Sequence, residues 1–97
     1  MYARMNTLSI LPGKMAEFTR AYNDIIMPAV KHAHGNTAVY FLVDEANNTG
    51  VSITLWVTEA DGEDYDTIGV YHGLVQQILH LLAEPPTLTK YEVASWG

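Results

Sequence analysis

Residues 51–58, VSITLWVT, alternate as a strand does, and the alternation sorts them in an unusual way. Val51, Ile53, Leu55 and Val57 share one face, because successive side chains of a strand point to opposite sides. Ser52, Thr54, Trp56 and Thr58 share the other, so an indole ends a row of hydroxyls. Open water would leave the indole's apolar surface unburied, and a plain apolar core would leave the hydroxyls without partners. A semi-polar cavity satisfies both, and Trp56 is expected to project into one.

Outward from this strand, the chain divides into regular segments. On the N-terminal side, residues 37–44 (TAVYFLVD) are apolar on both faces, as a strand covered on both sides would be. Residues 45–50 (EANNTG) supply the Asn and Gly of a hairpin loop between the two strands. Residues 2–10 read as a further strand with Tyr2, Arg4, Asn6 and Leu8 on one face, ended by Pro12-Gly13. From Lys14, the apolar positions Met15, Phe18, Tyr22, Ile25, Ile26, Ala29 and Val30 follow helical spacing, with Pro28 ending or kinking the helix and residues 31–35 as a connection.

On the C-terminal side, residues 60–69 (ADGEDYDTIG) are acidic with poor helix propensity, and a short helical turn is expected. Residues 70–84 carry Val70 or Tyr71, Leu74, Val75, Ile78, Leu81 and Leu82 at amphipathic spacing, stopped by Pro85-Pro86. Residues 87–95 close the chain as a strand.

The order is βαββαβ, and right-handed crossovers turn it into a four-stranded antiparallel sheet with both helices on one face. The fold class is α+β, in one domain spanning residues 1–97. The other sheet face is left bare. It is expected to carry Asn6, Leu8, Ser52, Thr54 and Trp56, and two sheets packed face to face would enclose them. A homodimer follows from that expectation. Composition agrees, since 48% of residues are hydrophobic and only 16% charged.

A net charge of −6 with five Lys and Arg excludes a basic patch, so neither nucleic acid nor an anionic membrane is an expected partner. No apolar stretch approaches a membrane span. The opening MYARMNTLSI lacks the basic and apolar regions of an export signal, which makes the cytoplasm the expected location. Without cysteine there is no disulfide or thiolate chemistry. His32-Ala33-His34 has no third ligand at metal-binding spacing and reads as a solvated turn, so no metal site is expected. The acidic residues between Glu59 and Asp66 read as a solvated helix cap.

The element order, Leu11-Pro12-Gly13-Lys14 entering the first helix, and Leu55-Trp56 closing the third strand resemble the antibiotic biosynthesis monooxygenase family. Pro85-Pro86 and the closing Lys90-Tyr91-Glu92-Val93 add to the resemblance, which covers nearly the whole chain. It implies a ferredoxin-like fold assembled as a dimeric α/β barrel. The family's activities include cofactor-free oxygenation of phenols or quinols, haem degradation and aldehyde processing. Asn6 stands where the haem-degrading branch keeps a catalytic asparagine, and Trp56 matches the strand-ending tryptophan. Tyr65 stands where many members carry a histidine, and His72 is nearest to the iron-ligating histidine of the haem degraders. Leu55 replaces the acidic residue usual before the tryptophan, and Ala33-His34-Gly35-Asn36 replaces a Glu-Pro-Gly turn.

The expected site therefore has His72, Asn6 and Tyr65 as catalytic residues, with His72 or Tyr65 taking a proton. Trp56, Arg4, Tyr71, Ser52 and Thr54 are expected to bind the substrate, Arg4 through an anionic substrate or a carboxylate of the dimer mate. The expected ligand is a small aromatic or apolar molecule, a phenol or quinol for a monooxygenase that needs no cofactor. A dimeric barrel that sequesters such a molecule without turnover is the alternative, and haem binding through His72 is a third.

Overall fold

The computed structural model describes residues 1–97 and contains the expected βαββαβ order. The strands are β1 (Tyr2–Ser9), β2 (Asn36–Asp44), β3 (Thr49–Trp56) and β4 (Thr87–Glu92), arranged β2-β3-β1-β4 with every neighbouring pair antiparallel. A 3₁₀ turn at Glu45–Asn47 and a left-handed Asn48 join β2 to β3.

The first helical rod has three parts: α1 (Met15–Ala21), a π-helical turn (Tyr22–Ile26) and α2 (Met27–His32). Pro28 accounts for the wide turn, since it has no N–H to give to the carbonyl four residues back and its ring crowds that carbonyl. The rod therefore continues past Pro28 to His32 instead of stopping there. Phe18, Tyr22, Ile26 and Val30 are all buried at four-residue steps. Such steps drift roughly 40° each on an ordinary helix, and the extra residue of the π turn absorbs part of that drift.

The acidic segment forms more than a turn. It is a nine-residue helix, α3 (Glu59–Thr67), capped by the Thr58 hydroxyl, which accepts from the Asp61 N–H at 3.1 Å. Gly69, in the left-handed region at φ 88°, breaks the path before α4 (Val70–Ile78). A 3₁₀ turn at Leu79–Leu81 follows, ahead of Pro85.

The two sheet faces are sorted as the alternation requires, but the helices cover the opposite one from that expected. Opposite residues share a face, so Phe41, Ser52, Asn6 and Leu88 form one row across the sheet, and Val39, Thr54, Arg4 and Lys90 the next. That face lies under the helices. Trp56 is 0% exposed there, joined in the core by Tyr2, Leu8, Phe18, Tyr22 and Tyr65. The hydroxyls are acceptable in this core because each is paired: Ser52 with the Tyr22 hydroxyl at 2.5 Å, and Thr54 with the Trp56 Nε1–H at 3.0 Å.

The bare face instead carries Val51, Ile53 and Leu55, with Tyr40 and Leu42 beside them on β2. β2 is an edge strand, not a doubly covered one, and its Tyr40 and Leu42 are 54% and 53% exposed. No helix is long and apolar enough to cross a membrane.

Candidate functional site

Between the covered sheet face and the helices lies a cavity of about 40 Å³. Asn6, Ser52 and Thr54 form its floor from β1 and β3. Tyr22, Ile26 and Val30 wall it from the first helical rod, Tyr65 from α3, and Tyr71, Leu74, Val75 and Ile78 from α4. This places the cavity inside one chain, not between two sheets. Its volume holds about three water molecules, well short of the roughly 300 Å³ of an ordinary ligand pocket. An aromatic ring is larger than this space.

The lining is mostly apolar and carries no charge, its polar groups coming from Asn6, Ser52, Thr54 and the tyrosines. Tyr71 donates its hydroxyl to Asn6 Oδ1 at 2.7 Å, which leaves the Asn6 amide N–H groups for a guest. The Tyr65 hydroxyl has no hydrogen-bonding partner in the chain. Burial pushes the phenols of Tyr22, Tyr65 and Tyr71 above the ordinary tyrosine range. All three therefore stay protonated near neutrality and act as donors or neutral acceptors, not as bases.

Arg4 lies behind this lining. Its two terminal nitrogens donate to both Asp66 oxygens at 2.8 Å, the bidentate geometry that suits a planar guanidinium. Its Cζ is 5.0 Å from the ring centre of Tyr71 and 5.4 Å from that of Tyr65. Burial raises the Asp66 carboxyl, but the hydrogen bonds and charge of Arg4, joined by Lys90 at 3.5 Å, outweigh it and hold the group below its ordinary value. Next along α3, Glu63 accepts from Lys90 at 3.2 Å and from the Tyr2 hydroxyl at 3.0 Å. Gly62 permits this docking, because a Cβ there would stand 2.8 Å from the Tyr2 ring.

Of the residues expected at the site, the structure brings Asn6, Ser52, Thr54, Tyr65 and Tyr71 to one cavity. Trp56 does not line it. The indole sits beneath Tyr65, ring centres 5.1 Å apart, and supports that side chain. Arg4 binds Asp66 of its own chain, so a partner carboxylate or an anionic substrate is not its counter-ion. His72 is exposed on α4 and absent from the lining, a consequence of its standing two residues before the buried Leu74. Its expected proton-taking role therefore has no geometric basis.

Two of the acidic residues assigned to a solvated cap, Glu63 and Asp66, turn toward β1 and β4. The sequence carries no signal for this, since the Arg4–Asp66 pair spans 62 residues. His34 lies 3.7 Å from Asp61, and no group of three or more His, Cys, Asp or Glu residues is placed to hold a metal. Haem does not fit the cavity either: no imidazole or thiolate reaches it, and a porphyrin is far larger than the space.

No protein-family model matches the chain, and no curated protein matches it. Solved structures do. A monooxygenase from Streptomyces coelicolor, solved in complex with nanaomycin D, superposes with a TM-score of 0.83 at 11% identity, covering 98% of this chain and 88% of that one. A provisionally named antibiotic biosynthesis monooxygenase from Bordetella bronchiseptica gives 0.82 at 18% identity, with 97% of each chain covered. A protein of unknown function from Nitrosomonas europaea gives 0.82 at 21% identity, covering 99% of this chain and 91% of that one. The resemblance read in the sequence is thus met at the level of architecture: this chain has the ferredoxin-like fold of the antibiotic biosynthesis monooxygenases.

Proposed function

We propose that the chain is a cofactor-independent monooxygenase that oxidises a small electron-rich phenol or quinol. The observation that carries this reading is the uncharged cavity lined by Asn6, Tyr65 and Tyr71, with the Tyr71 hydroxyl bonded to the Asn6 amide oxygen, in a domain of this fold. The phenol loses its proton, passes an electron to dioxygen, and the resulting radical pair joins at the ring carbon. Breakdown of the adduct leaves a quinone and one water, so each phenol consumes one dioxygen. Apolar Leu74, Val75 and Ile78 on α4 keep bulk water from the intermediate.

The test is dioxygen consumption with naphthols and naphthoquinols. Stoichiometric uptake that falls at least tenfold in Asn6→Ala supports the reading, and uptake no faster than in buffer overturns it. A second reading, sequestration without turnover, draws on the lack of any proton acceptor in the lining at neutral pH. Its mark is quantitative recovery of the unchanged ligand.

The chain is also read as a homodimer joined through the bare sheet face. Tyr40, Leu42, Val51, Ile53 and Leu55 give that face a continuous apolar surface of the kind monomers seldom expose. Sedimentation of the wild type as a dimer and of Leu42→Glu as a monomer supports this. A monomeric wild type at micromolar concentration overturns it.

A further inference from the structure

Two hollows of the molecule are joined by aromatic side chains. One is the closed cavity, with Tyr65 in its wall. The other is an open groove of about 420 Å³ between α3 and β4, lined by Tyr2, Glu63, Lys90 and Tyr91 among others. Between them stands Trp56. Its ring centre is 5.1 Å from that of Tyr65, and its directly opposed neighbour across the ladder with β1 is Tyr2. With no cysteine in the chain, phenols and indoles are the side chains that give up a single electron most readily.

The series has a direction, set by where protons can go. A phenol yields its electron easily only when its proton has an acceptor within hydrogen-bond reach, because the protonated phenol radical is a very strong acid. The Tyr22 hydroxyl is bonded to that of Ser52, and the Tyr71 hydroxyl to the Asn6 amide oxygen. Neither partner takes up a proton at neutral pH, and the Tyr65 hydroxyl has no partner in the chain. The Trp56 Nε1–H donates to the Thr54 hydroxyl, which is no better as a base. Tyr2 alone of these buried rings donates to a carboxylate, Glu63 at 3.0 Å, and Lys90 at 3.2 Å from Glu63 favours its ionised form.

We propose that Tyr65, Trp56 and Tyr2 form a relay that carries an oxidising equivalent out of the cavity to the groove, with Glu63 taking the Tyr2 proton. The oxidant is an organic peroxyl radical, formed when dioxygen adds to a ligand radical in the cavity. It gains one electron through Tyr65 and Trp56 and one proton from solvent, becoming a hydroperoxide. Tyr2 loses that electron to the series and its phenolic proton to Glu63, becoming a neutral tyrosyl radical. Glu63, 39% exposed, returns the proton to solvent. A reductant with a weak O–H or S–H bond, ascorbate or a thiol, then gives Tyr2 a hydrogen atom from the groove. The cavity wall is thereby spared oxidation by a radical that has missed its productive path. Only the source of the peroxyl radical rests on the oxygenase reading, and the relay itself does not.

The relay is tested in Trp96→Phe, where Trp56 is the one remaining indole. A laser flash at a wavelength that only indoles absorb oxidises Trp56, with a cobalt(III) ammine complex in solution to capture the ejected electron. Transient absorption then follows the indole and tyrosyl radicals as separate bands. The indole radical is expected to decay as a tyrosyl radical appears, at a rate independent of protein concentration, and ascorbate is expected to remove the tyrosyl radical. Adding Tyr2→Phe, which keeps the ring beside Gly62, should cut the tyrosyl yield at least fivefold. Adding Glu63→Gln instead keeps the phenol but removes its proton acceptor, and should cut the yield at least threefold. Nitrogen dioxide tests the cavity end, since Tyr65 also borders an open groove beside His32 and Val70 that this small radical can enter. It nitrates a tyrosine by first oxidising it, so Tyr2→Phe should raise nitration at Tyr65 at least threefold, read by mass spectrometry.

An indole radical that decays without a tyrosyl radical overturns the inference. So does a tyrosyl yield undiminished in Tyr2→Phe or in Glu63→Gln, wherever the radical then rests, and so does Tyr65 nitration that does not rise. The flash uses neither dioxygen nor a phenolic ligand, so its failure leaves the oxygenase reading standing. A working relay in a chain that consumes no dioxygen removes that reading and leaves this one.

Discussion

The Tyr71 hydroxyl and Asn6 Oδ1 lie 2.7 Å apart, in the one side-chain hydrogen bond that ties α4 to the rest of the molecule. α4 is otherwise held by the apolar Leu74 and Ile78 and by the Tyr71 ring, which lies against the Arg4 guanidinium and Tyr65. The helix also begins at Gly69, whose left-handed backbone lets the chain turn sharply off α3.

Tyr71→Phe is therefore expected to loosen α4 without unfolding the domain. A net loss of about 1 kcal/mol is the usual cost of one such hydrogen bond. Hydrogen exchange should accelerate at the amides of residues 74–78 and hold steady in β1 and β3. Equal acceleration in helix and sheet would show that α4 does not move as a separate unit.

Stability should fall at both ends of the pH range. Hydrogen bonds from Lys90 and Tyr2 hold the Glu63 carboxyl below its ordinary value, and Asp66 is held low by Arg4 against the effect of burial. Carboxyls lowered in the fold add stability above the unfolded value of about 4 and lose it as pH falls below that. At the alkaline end, burial and then the bond to Glu63 push Tyr2 up to about 12, and burial raises Tyr22, Tyr65 and Tyr71. Phenols raised in the fold add stability that is complete below about 10 and lost as pH climbs beyond it. Denaturant titrations from acid to alkaline pH would reveal both limbs. In Asp66→Asn the acid limb should flatten, and neutral stability should drop by about 3 kcal/mol, because Arg4 is left buried and unpaired.

Two helical glycines should respond to alanine with opposite sign. At Gly73, on α4, a Cβ would meet nothing within 4 Å, so Gly73→Ala should stabilise by up to about 1 kcal/mol through helix propensity. At Gly62, the same propensity gain is opposed by contact with the buried Tyr2 ring at 2.8 Å, and overpacking of this kind costs about 1–3 kcal/mol. Gly62→Ala should therefore destabilise. Thermal unfolding of the two variants side by side decides it.

The two tryptophans should report opposite surroundings. Trp56 is fully buried, whereas Trp96 is 73% exposed. Trp96→Phe should leave a blue-shifted emission that acrylamide barely quenches, and Trp56→Phe a red-shifted emission that it quenches readily. A readily quenched Trp56 would move the indole out from under the helices.

Alternation along β1 and β3 made the membership of each sheet face legible, and helical spacing made Phe18, Tyr22, Leu74 and Ile78 legible as core. Asn6, Ser52 and Thr54 were grouped by the strand period and Tyr71 stood in the second helical stretch, whereas Tyr65 entered only through the family resemblance. Which face the helices cover was not legible, because alternation is symmetric between a strand's two sides. What decides it is long-range: under the helices Ser52 meets Tyr22, and the two terminal nitrogens of Arg4 meet Asp66. The exposure of β2 was hidden too, because an apolar strand reads alike whether it is covered on both faces or lies at an edge with one face bare.

β1 lies between β3 and β4, so residues 2–7 need neighbours on both flanks. During synthesis this strand emerges well before residues 87–92, and until they arrive one of its ladders is open and Arg4 lacks the neighbouring Lys90 row. Pairing over such separations is slow, since the loop must close before any contact forms. The central strand accordingly stays half-paired until residues 87–92 are available, and closure of the sheet waits for them.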